Sequence, residues 1–563
     1  MKKTTKSDFM RKFTLWAAMG SIALLVLAGC SNSDNGQSNP EVSKPVPNPY
    51  LSSSLYGITH IDSSQSDSTP YGPPDGRFSV DPSQQPIVNG GLITIMTLAA
   101  SEPDYMWAVS TDRVSYVNKQ SGQWSRVSAP YNAPAYYPVT PPLESVPDST
   151  HQAFGEMSAV GTNILGMDFR LRQNYGENYF YRVLNGNYAL VDRDNILYAN
   201  YGQGIYAFKL KDPLDPSRGI VLHRELADTS VITGGTQQTR IVGLSLTYDG
   251  YLIVVFSQGL TIINRNFDVD SAQFYQLGTG SEKVTNSIAV DEKNGIYVAT
   301  NRTMRKLVWT GTGISDREGD GAWSSPYDAP EDIPPVIKFD SGTGSTPTLM
   351  GFGADADKLV VITDGAKRMN LVAFWRDQIP DDFVQKPGTA SRRIAGQISV
   401  NCGLPQTTEW IQSEQSVVVS GYGAFVVNNI PEDTEALSRV AANKLLVVSL
   451  MGPAYPTSYG VERFQWDPAM DEWRSVWVRN DVSSTSMIPV HSRLKNMVLV
   501  NGYTDENGWE VTGMDWDSGE TRHQTLFGRK NFGNGAYALL EYLENGDLLF
   551  NSIVGPMRVH YDR

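Results

Sequence analysis

The sequence contains little cysteine: only Cys30 and Cys402 occur among its 563 residues. Two cysteines exclude a disulfide-rich scaffold and a cysteine metal cluster, since each of these needs more thiols than the chain supplies. Cys402, in the run Asn401-Cys402-Gly403, is predicted to be a small buried side chain and not a nucleophile.

Histidine is also scarce, and the closest two of the six, His491 and His523, are 32 positions apart. That spacing excludes a local histidine metal motif. The chain also lacks a Gly-x-Ser-x-Gly elbow, a phosphate-binding loop and a dinucleotide fingerprint. The sequence therefore does not fix a reaction.

Positive charge is in deficit. The net charge is −14, and because residues 1–29 carry five cations and one acid, the rest of the chain stands at −18. A protein with this much negative charge repels the phosphate backbone of nucleic acids. The charge therefore predicts that nucleic acid is not a partner. No basic run follows residue 29 that could override this average.

Long apolar runs are absent after the N-terminus. Five cations precede one apolar run, from Phe13 to Leu27, which ends in Leu27-Ala28-Gly29-Cys30. This arrangement resembles the lipobox of bacterial lipoproteins. The resemblance implies a signal peptide over 1–29, fatty acylation (palmitate) of Cys30 and, with Ser31 next, sorting to the outer membrane. A plain cleaved signal peptide and a membrane anchor are the alternatives.

Residues 30–87 are predicted to be the lipidated cysteine and a disordered tether. Their composition is rich in Ser, Asn, Pro, Asp and Gly, and they show almost no apolar periodicity. Such a segment would connect the membrane surface to a folded body that begins near residue 88.

From residue 88 to 563 a strand–turn–strand unit recurs, and it predicts an all-β fold. The eight apolar centres are Met106–Val109, Ile196–Ala199, Tyr251–Phe256, Ile296–Ala299, Leu359–Ile362, Val417–Val419, Met497–Val500 and Leu548–Phe550.

The distances from Asp192 to Asp249 and from Asp249 to Asp291, 57 and 42 residues, favour a β-propeller of seven or eight antiparallel blades. A two-sheet sandwich or two smaller β domains are the alternatives. Phe78–Val80 is expected to join the last blade beside Met557–His560 and so close the ring.

The repeating unit, for instance Asp291-Glu292-Lys293-Asn294-Gly295-Ile296-Tyr297, resembles that of secreted propellers. This class includes the gluconolactonase/strictosidine-synthase group and the quinoprotein-like group. The resemblance implies the fold and a ligand in the central funnel, not a particular chemistry.

Three residues are predicted to form a catalytic site: Glu414, Asp364 and Arg376. Glu414 precedes an apolar strand, and Asp364 and Arg376 each follow one. A buried carboxylate at such a position must be paired, hydrated or protonated and can serve as a general base. The small-residue loop Ser341–Thr348 could surround an anion with its amides and hydroxyls. A solvated strand end, a flexible loop and an exposed ion pair are the alternatives.

A calcium loop is predicted at Asp316, Glu318 and Asp320, because oxygen ligands at alternate positions before a glycine can wrap a hard cation. Position twelve of that loop is Tyr327 and not glutamate, so an ordinary acidic loop is the alternative. A further hypothesis joins His151 with Tyr175, Tyr179 or Arg182 as an acid–base pair.

Two functions follow from these predictions. The first is an outer-membrane-anchored propeller, on the periplasmic or the cell-surface face, acting as a hydrolase or lactonase on a small organic or glycan ligand. The second is a non-catalytic binding or scaffold lipoprotein of the envelope, with a protein or glycan partner.

Overall fold

The computed structural model describes residues 43–561, with gaps at 94, 121, 134–145, 178, 184, 236–239, 278–281, 331, 334–337, 339 and 436–443. Two short strands come first in the chain, β1 (Ser68–Thr69) and β2 (Gly76–Ser79). The remaining strands follow in eight sheets, numbered here as blades in chain order.

The strands of the first four blades run as antiparallel neighbours. Blade 1 contains β3 (Met96–Ala99), β4 (Tyr105–Val109), β5 (Arg113–Asn118), β6 (Ser125–Arg126) and β7 (Tyr131–Asn132). Blade 2 contains β8 (Ala189–Val191), β9 (Leu197–Tyr201), β10 (Gly204–Leu210) and β11 (Ile220–Leu226). Blade 3 contains β12 (Ile241–Leu246), β13 (Leu252–Phe256), β14 (Gly259–Ile263) and β15 (Gln273–Gln276). Blade 4 contains β16 (Ala289–Val290), β17 (Gly295–Ala299), β18 (Thr303–Trp309), β19 (Ile314–Ser315) and β20 (Trp323–Pro326).

The last four blades continue the pattern. Blade 5 contains β21 (Thr348–Met350), β22 (Leu359–Thr363), β23 (Asn370–Trp375) and β24 (Ile394–Ser399). Blade 6 contains β25 (Val418–Ser420), β26 (Gly423–Val427), β27 (Tyr459–Asp467) and β28 (Glu472–Ser483). Blade 7 contains β29 (Val490–Ser492), β30 (Met497–Thr504), β31 (Gly508–Asp515) and β32 (Thr521–Gly528). Blade 8 contains β33 (Leu540–Tyr542), β34 (Leu548–Ser552) and β35 (Gly555–Val559).

The helices are insertions between strands. Three lie between blades 1 and 2: α1 (Asp148–Glu156), α2 (Ile164–Tyr175) and α3 (Tyr179–Arg182). A fourth, α4 (Lys444–Leu450), interrupts blade 6. One apolar cluster joins α1 and α2 to Val448 of α4 and to Phe532 and Ile553 near blades 7 and 8. The helices therefore form a cap on one face of the ring.

Apolar side chains fill every interface between consecutive blades, which is why flat sheets that are apolar on both faces are stable here. Separate clusters join blades 1 to 2, 2 to 3, 3 to 4, 4 to 5, 5 to 6 and 6 to 7. One further cluster contains residues of blades 7, 8 and 1. The modules thus close into a ring, and the predicted β-propeller is confirmed.

The described residues give seven blades of four or more strands and one of three. All eight predicted apolar centres coincide with blade strands, and seven of them with the second strand. In blade 6 the centre Val417–Val419 overlaps the first strand, β25, instead.

The N-terminal closure differs from the prediction by one blade. The strand containing Phe78, β2, pairs in parallel with β32, so it extends blade 7. Blade 8 instead receives an antiparallel bridge from Ile87 to Met557. Each of these N-terminal segments supplies an outer edge to a blade made from the end of the chain.

Residues 48–69, named here the axial segment, contradict the predicted tether. They lie along the inner strands, where Leu51, Tyr56, Ile58 and Ile61 are buried. The prediction of a disordered tether is therefore wrong for this part of residues 30–87, while residues 30–42 lie outside the described residues.

The axial segment forms hydrogen bonds with every blade. Tyr56 accepts from Ala99 of blade 1 through its carbonyl and from Tyr542 of blade 8 through its hydroxyl. Asn48 donates to the Leu246 carbonyl of blade 3. For the other five blades, carbonyl groups of the segment accept hydrogen bonds from the amides of Val191, Val290, Leu349, Val419 and His491. Because inner strands otherwise present unpaired amides to the axis, the segment satisfies them.

Candidate functional site

A cavity of about 130 Å³ lies at the axis, on the side where the first strand of each blade begins. This is about ten times the ~10–15 Å³ that one water molecule needs. Its polar lining comes from residues just ahead of those strands, among them Asn187, Arg240, Asn286 and Glu414. Connections ahead of seven blades, together with Met96 at the start of β3 in blade 1, thus contribute to one site that no single blade could form.

The axial segment forms the floor of this cavity through Thr59 and His60. The Nδ1 atom of His60 lies 3.0 Å from the Asp67 carboxylate, and its Nε2 lies 3.4 Å from the Thr346 hydroxyl. Burial raises the pKa of Asp67, and the charge of His60 opposes that shift. The floor is therefore a fixed polar surface.

Hydrogen bonds connect the cavity wall across blades 2, 4 and 5. The Tyr188 hydroxyl donates to Asn286 Oδ1 at 3.3 Å, and Asn286 Nδ2 donates to the Gly344 carbonyl at 3.1 Å. Gly344 belongs to the predicted small-residue loop Ser341–Thr348, so that loop does reach the site. These bonds hold the amide and the tyrosine in defined orientations before any ligand arrives.

Glu414, the first predicted catalytic residue, lines the cavity. Its amide is held at 3.0 Å from Asn429 Oδ1, which orients the connection ahead of β25. Burial, together with the Glu414 carboxylate, raises the pKa of Tyr537 well above 10. Glu414 and Tyr537 therefore act on each other across the site, although they belong to blades 6 and 8.

Asp364, the second predicted residue, stabilises the turn between β22 and β23. Its carboxylate accepts from the Ala366 amide at 3.1 Å and from the Asn370 amide and side chain at 2.8 and 2.6 Å. Burial raises its pKa to about 6. Asp364 is not among the residues that line the cavity.

Lys338 interacts electrostatically with both predicted carboxylates, Glu414 and Asp364. It is 1% exposed, and its ammonium donates to the Gly342 carbonyl at 3.0 Å and to the Gln412 side chain. Burial lowers the pKa of Lys338 to about 7, against the charges of Glu414 and Asp364. A lysine that titrates near neutral pH thus lies directly behind the cavity wall at Gly344.

Arg376, the third predicted residue, does not meet the other two. It follows β23, and its guanidinium donates to the Gly351 carbonyl at 2.8 Å and lies over the Phe352 ring. Because successive strands run antiparallel, the end of a third strand and the start of a first strand lie on opposite faces. The predicted trio is therefore divided between the two faces of the ring.

The predicted calcium ligands also point to separate partners. Asp316 accepts from the Tyr275 hydroxyl at 2.9 Å, and Asp320 pairs with Arg317 at 2.7 Å on the outer edge of blade 4. Glu318 is exposed. Among the described residues, no group of three or more His, Cys, Asp or Glu side chains is placed to hold a metal ion.

The hypothesis joining His151 to Tyr175 is confirmed as a contact. His151 Nδ1 lies 3.2 Å from the Tyr175 hydroxyl, and its Nε2 lies 3.3 Å from Asp112. Both rings are nevertheless buried inside the helical cap. Tyr179 bonds instead to Asp168. This pair stabilises the cap and does not line the axial cavity.

Sequence reasoning missed Arg240, Tyr188, Tyr537 and His60 as site residues. Arg240 and Tyr188 stand immediately before the apolar runs of β12 and β8. In a propeller that position faces the axis, so listing the residue ahead of each blade's first strand would have found them. His60 could not be found in this way because its segment was predicted to be a tether. Cys402 is fully buried, as predicted.

No family model matches the sequence. A protein of Archaeoglobus fulgidus, described as uncharacterized, is 33% identical over 330 residues. The match covers 57% of this chain, and the chain spans about 60% of the length of that relative.

Quinoprotein dehydrogenases and a BamB protein are among the solved structures that this chain resembles. The quinohemoprotein alcohol dehydrogenase of Comamonas testosteroni has a TM-score of 0.44 at 10% identity, over 90% of this chain and 76% of that one. A europium-containing methanol dehydrogenase has a TM-score of 0.46 at 8% identity, over 88% of each chain. BamB of Moraxella catarrhalis has a TM-score of 0.35 at 10% identity, over 64% of this chain and 92% of that one.

Cys30 and the predicted signal peptide lie outside the described residues. In the part of the chain that the structure describes, none of the helices is long and apolar enough to cross a membrane.

Proposed function

We propose that this propeller binds a small polar organic molecule in its axial cavity. The observation that carries the proposal is the convergence of Arg240, Asn286 and Glu414, from three blades, on one concave site. Concave sites with a few convergent polar groups are the usual form of small-molecule sites. Binding is favoured over catalysis because Arg376 and Asp364, the expected partners of Glu414, do not line the cavity.

A screen of small polar metabolites by thermal shift tests this proposal. A ligand that binds only the folded chain raises its stability by mass action, about 2.7 kcal/mol at a hundredfold excess over Kd. We expect at least one compound to raise the midpoint of the wild type and to lose its effect in Thr285→Trp, which fills the cavity. Thr310→Trp, on the exposed edge of blade 4, should respond like the wild type. An equal response in Thr285→Trp would place binding elsewhere.

Hydrolysis of an ester or lactone is the second candidate, favoured by the buried Lys338, whose charge interacts with Glu414 and whose pKa burial lowers to about 7. Glu414 would take a proton from water as the resulting hydroxide adds to the carbonyl carbon, and would return that proton to the departing alkoxide. Arg240 would stabilise the intervening oxyanion. Turnover of p-nitrophenyl acetate or γ-butyrolactone that Glu414→Gln abolishes would establish this reaction.

The proposal includes attachment to the outer membrane through lipid on Cys30, supported by the resemblance of residues 1–30 to a lipoprotein signal. In a bacterium with two membranes, we expect the chain to incorporate labelled palmitate and to fractionate with the outer membrane. Cys30→Ser should lose both properties, and Cys402→Ala should keep them. Labelling that survives Cys30→Ser would contradict the anchor.

A further inference from the structure

The charged side chains of the cavity stand on different walls. Arg240 precedes the first strand of blade 3 and Glu414 precedes that of blade 6, so three steps of an eight-blade ring separate them. Both charges act on the hydroxyl group of Tyr188. Burial raises the pKa of its hydroxyl to about 12, Arg240 acts to lower it and Glu414 to raise it. Because Arg240 and Glu414 line the same cavity, one small molecule can reach both charges.

The uncharged residues of the lining also differ from one part of the cavity wall to another. Asn187 Oδ1 is buried and has no hydrogen-bond partner among the described residues, so this wall offers an acceptor to a ligand's N–H group. Tyr188 and Tyr537 supply aromatic rings in the same cavity, and ring faces attract ammonium groups. Met96, Val183 and Ile488 form an apolar sector near blades 7 and 1.

We infer that the ligand of the axial cavity is a small zwitterion of the α-amino-acid class, with its carboxylate on Arg240 and its ammonium group between Glu414 and Asn187. The apolar sector receives the side chain. This inference rests on the proposed function, because it names the ligand of the same cavity. A guanidinium binds a carboxylate by two parallel hydrogen bonds, and a carboxylate with a carbonyl acceptor binds an ammonium group. The cavity of about 130 Å³ suits a molecule of this size.

Calorimetric titration of the full chain with each of the twenty protein amino acids tests the inference. For any that binds, the N-acetyl derivative removes the positive charge and the methyl ester removes the negative charge. We expect each derivative to bind at least tenfold more weakly than the free amino acid. D-Glucose and glycerol, which are polar and uncharged, should not bind.

Two variants assign the charges to their partners. Arg240→Gln should weaken the free amino acid at least tenfold and leave the methyl ester unchanged, because the ester has already lost that contact. Glu414→Gln should weaken the free amino acid and leave the N-acetyl derivative unchanged. Arg218→Gln, on an exposed turn of blade 2, is the matched control and should bind like the wild type.

The outcomes separate this inference from the proposed function. If D-glucose or an N-acetyl acid binds as tightly as any free amino acid, and Thr285→Trp abolishes that binding, the cavity is a binding site but the zwitterion inference is overturned. If Thr285→Trp leaves amino-acid binding intact, both are overturned, because the binding lies elsewhere. If neither the amino acids nor the metabolite screen yields a ligand, both fail together.

Discussion

Replacing Glu541 by glutamine is expected to flatten the dependence of stability on pH between about 5 and 9. Glu541 lies in β33 of blade 8 and is 2% exposed. Its Oε2 atom has no hydrogen-bond partner among the described residues. Burial raises its pKa to about 8, against hydrogen bonds from Thr97 and Asn551 and the charge of Lys119. The folded chain thus holds a proton that the unfolded chain releases near pH 4.5.

The sign of the effect follows from this difference. Stability that Glu541 contributes is fully present below its unfolded pKa and is lost as pH rises toward its folded pKa near 8. The whole change is on the order of 5 kcal/mol. We therefore expect Glu541→Gln to match the wild type at pH 5 and to exceed its unfolding midpoint at pH 9.

Urea or thermal unfolding at several pH values measures this difference. Glu544→Gln makes the same chemical change three positions along, at an exposed side chain, and should leave the pH profile of the wild type unaltered. A Glu541→Gln profile parallel to that of the wild type would show that Glu541 does not hold the proton. Glu541 also lines a void of about 10 Å³, room for one water.

The second large effect is expected at Tyr56, in the axial segment. Tyr56→Ala should lower the free energy of unfolding by about 3–5 kcal/mol, the usual cost of removing a buried aromatic ring. The Tyr56 hydroxyl donates to the Tyr542 carbonyl at 3.0 Å, accepts from the Tyr542 amide at 3.1 Å and lies 3.1 Å from the Thr69 hydroxyl. It therefore connects the axial segment to blade 8.

Tyr56→Phe separates packing from hydrogen bonding, since it keeps the ring and leaves the buried Tyr542 amide without its partner. It should cost about 1–3 kcal/mol. The urea midpoint of each variant provides the measurement. If Tyr56→Ala unfolds at the midpoint of the wild type, the axial segment does not support the ring and its burial is incidental.

The blades were predictable because each contains its own apolar strands. Such strands can be recognised in the sequence wherever their blade lies in the ring. Leu252–Phe256, for instance, is buried along its whole length and needs no distant residue to be recognised. Its identity as a strand follows from β-branched and aromatic composition. The blade to which β2 attaches was missed because an edge strand of four residues fits more than one partner.

The axial segment was not predictable from its own pattern. Asp62, Ser64 and Ser66 are polar and yet buried, because their hydrogen bonds are with one another: both hydroxyls donate to the Asp62 carboxylate at 2.6 Å. A sequence with no apolar periodicity resembles a tether when its partners are the backbones of distant strands. Arg376 was misplaced for a related reason, since the sequence shows that a strand ends but not which face its end lies on.

The route of the axial segment constrains how the molecule is made. Residues 48–69 leave the ribosome before any blade, yet the backbone groups that satisfy them belong to every blade, including Tyr542 near the end of the chain. Its full set of hydrogen bonds is therefore available only when nearly all of the rest of the chain has been synthesised. A nascent chain that stops before blade 8 leaves the Tyr56 hydroxyl without its two bonds to Tyr542, and Ile87 without its bridge to Met557. The contacts that join the axial segment to blade 8 therefore form only after the last blade has been synthesised.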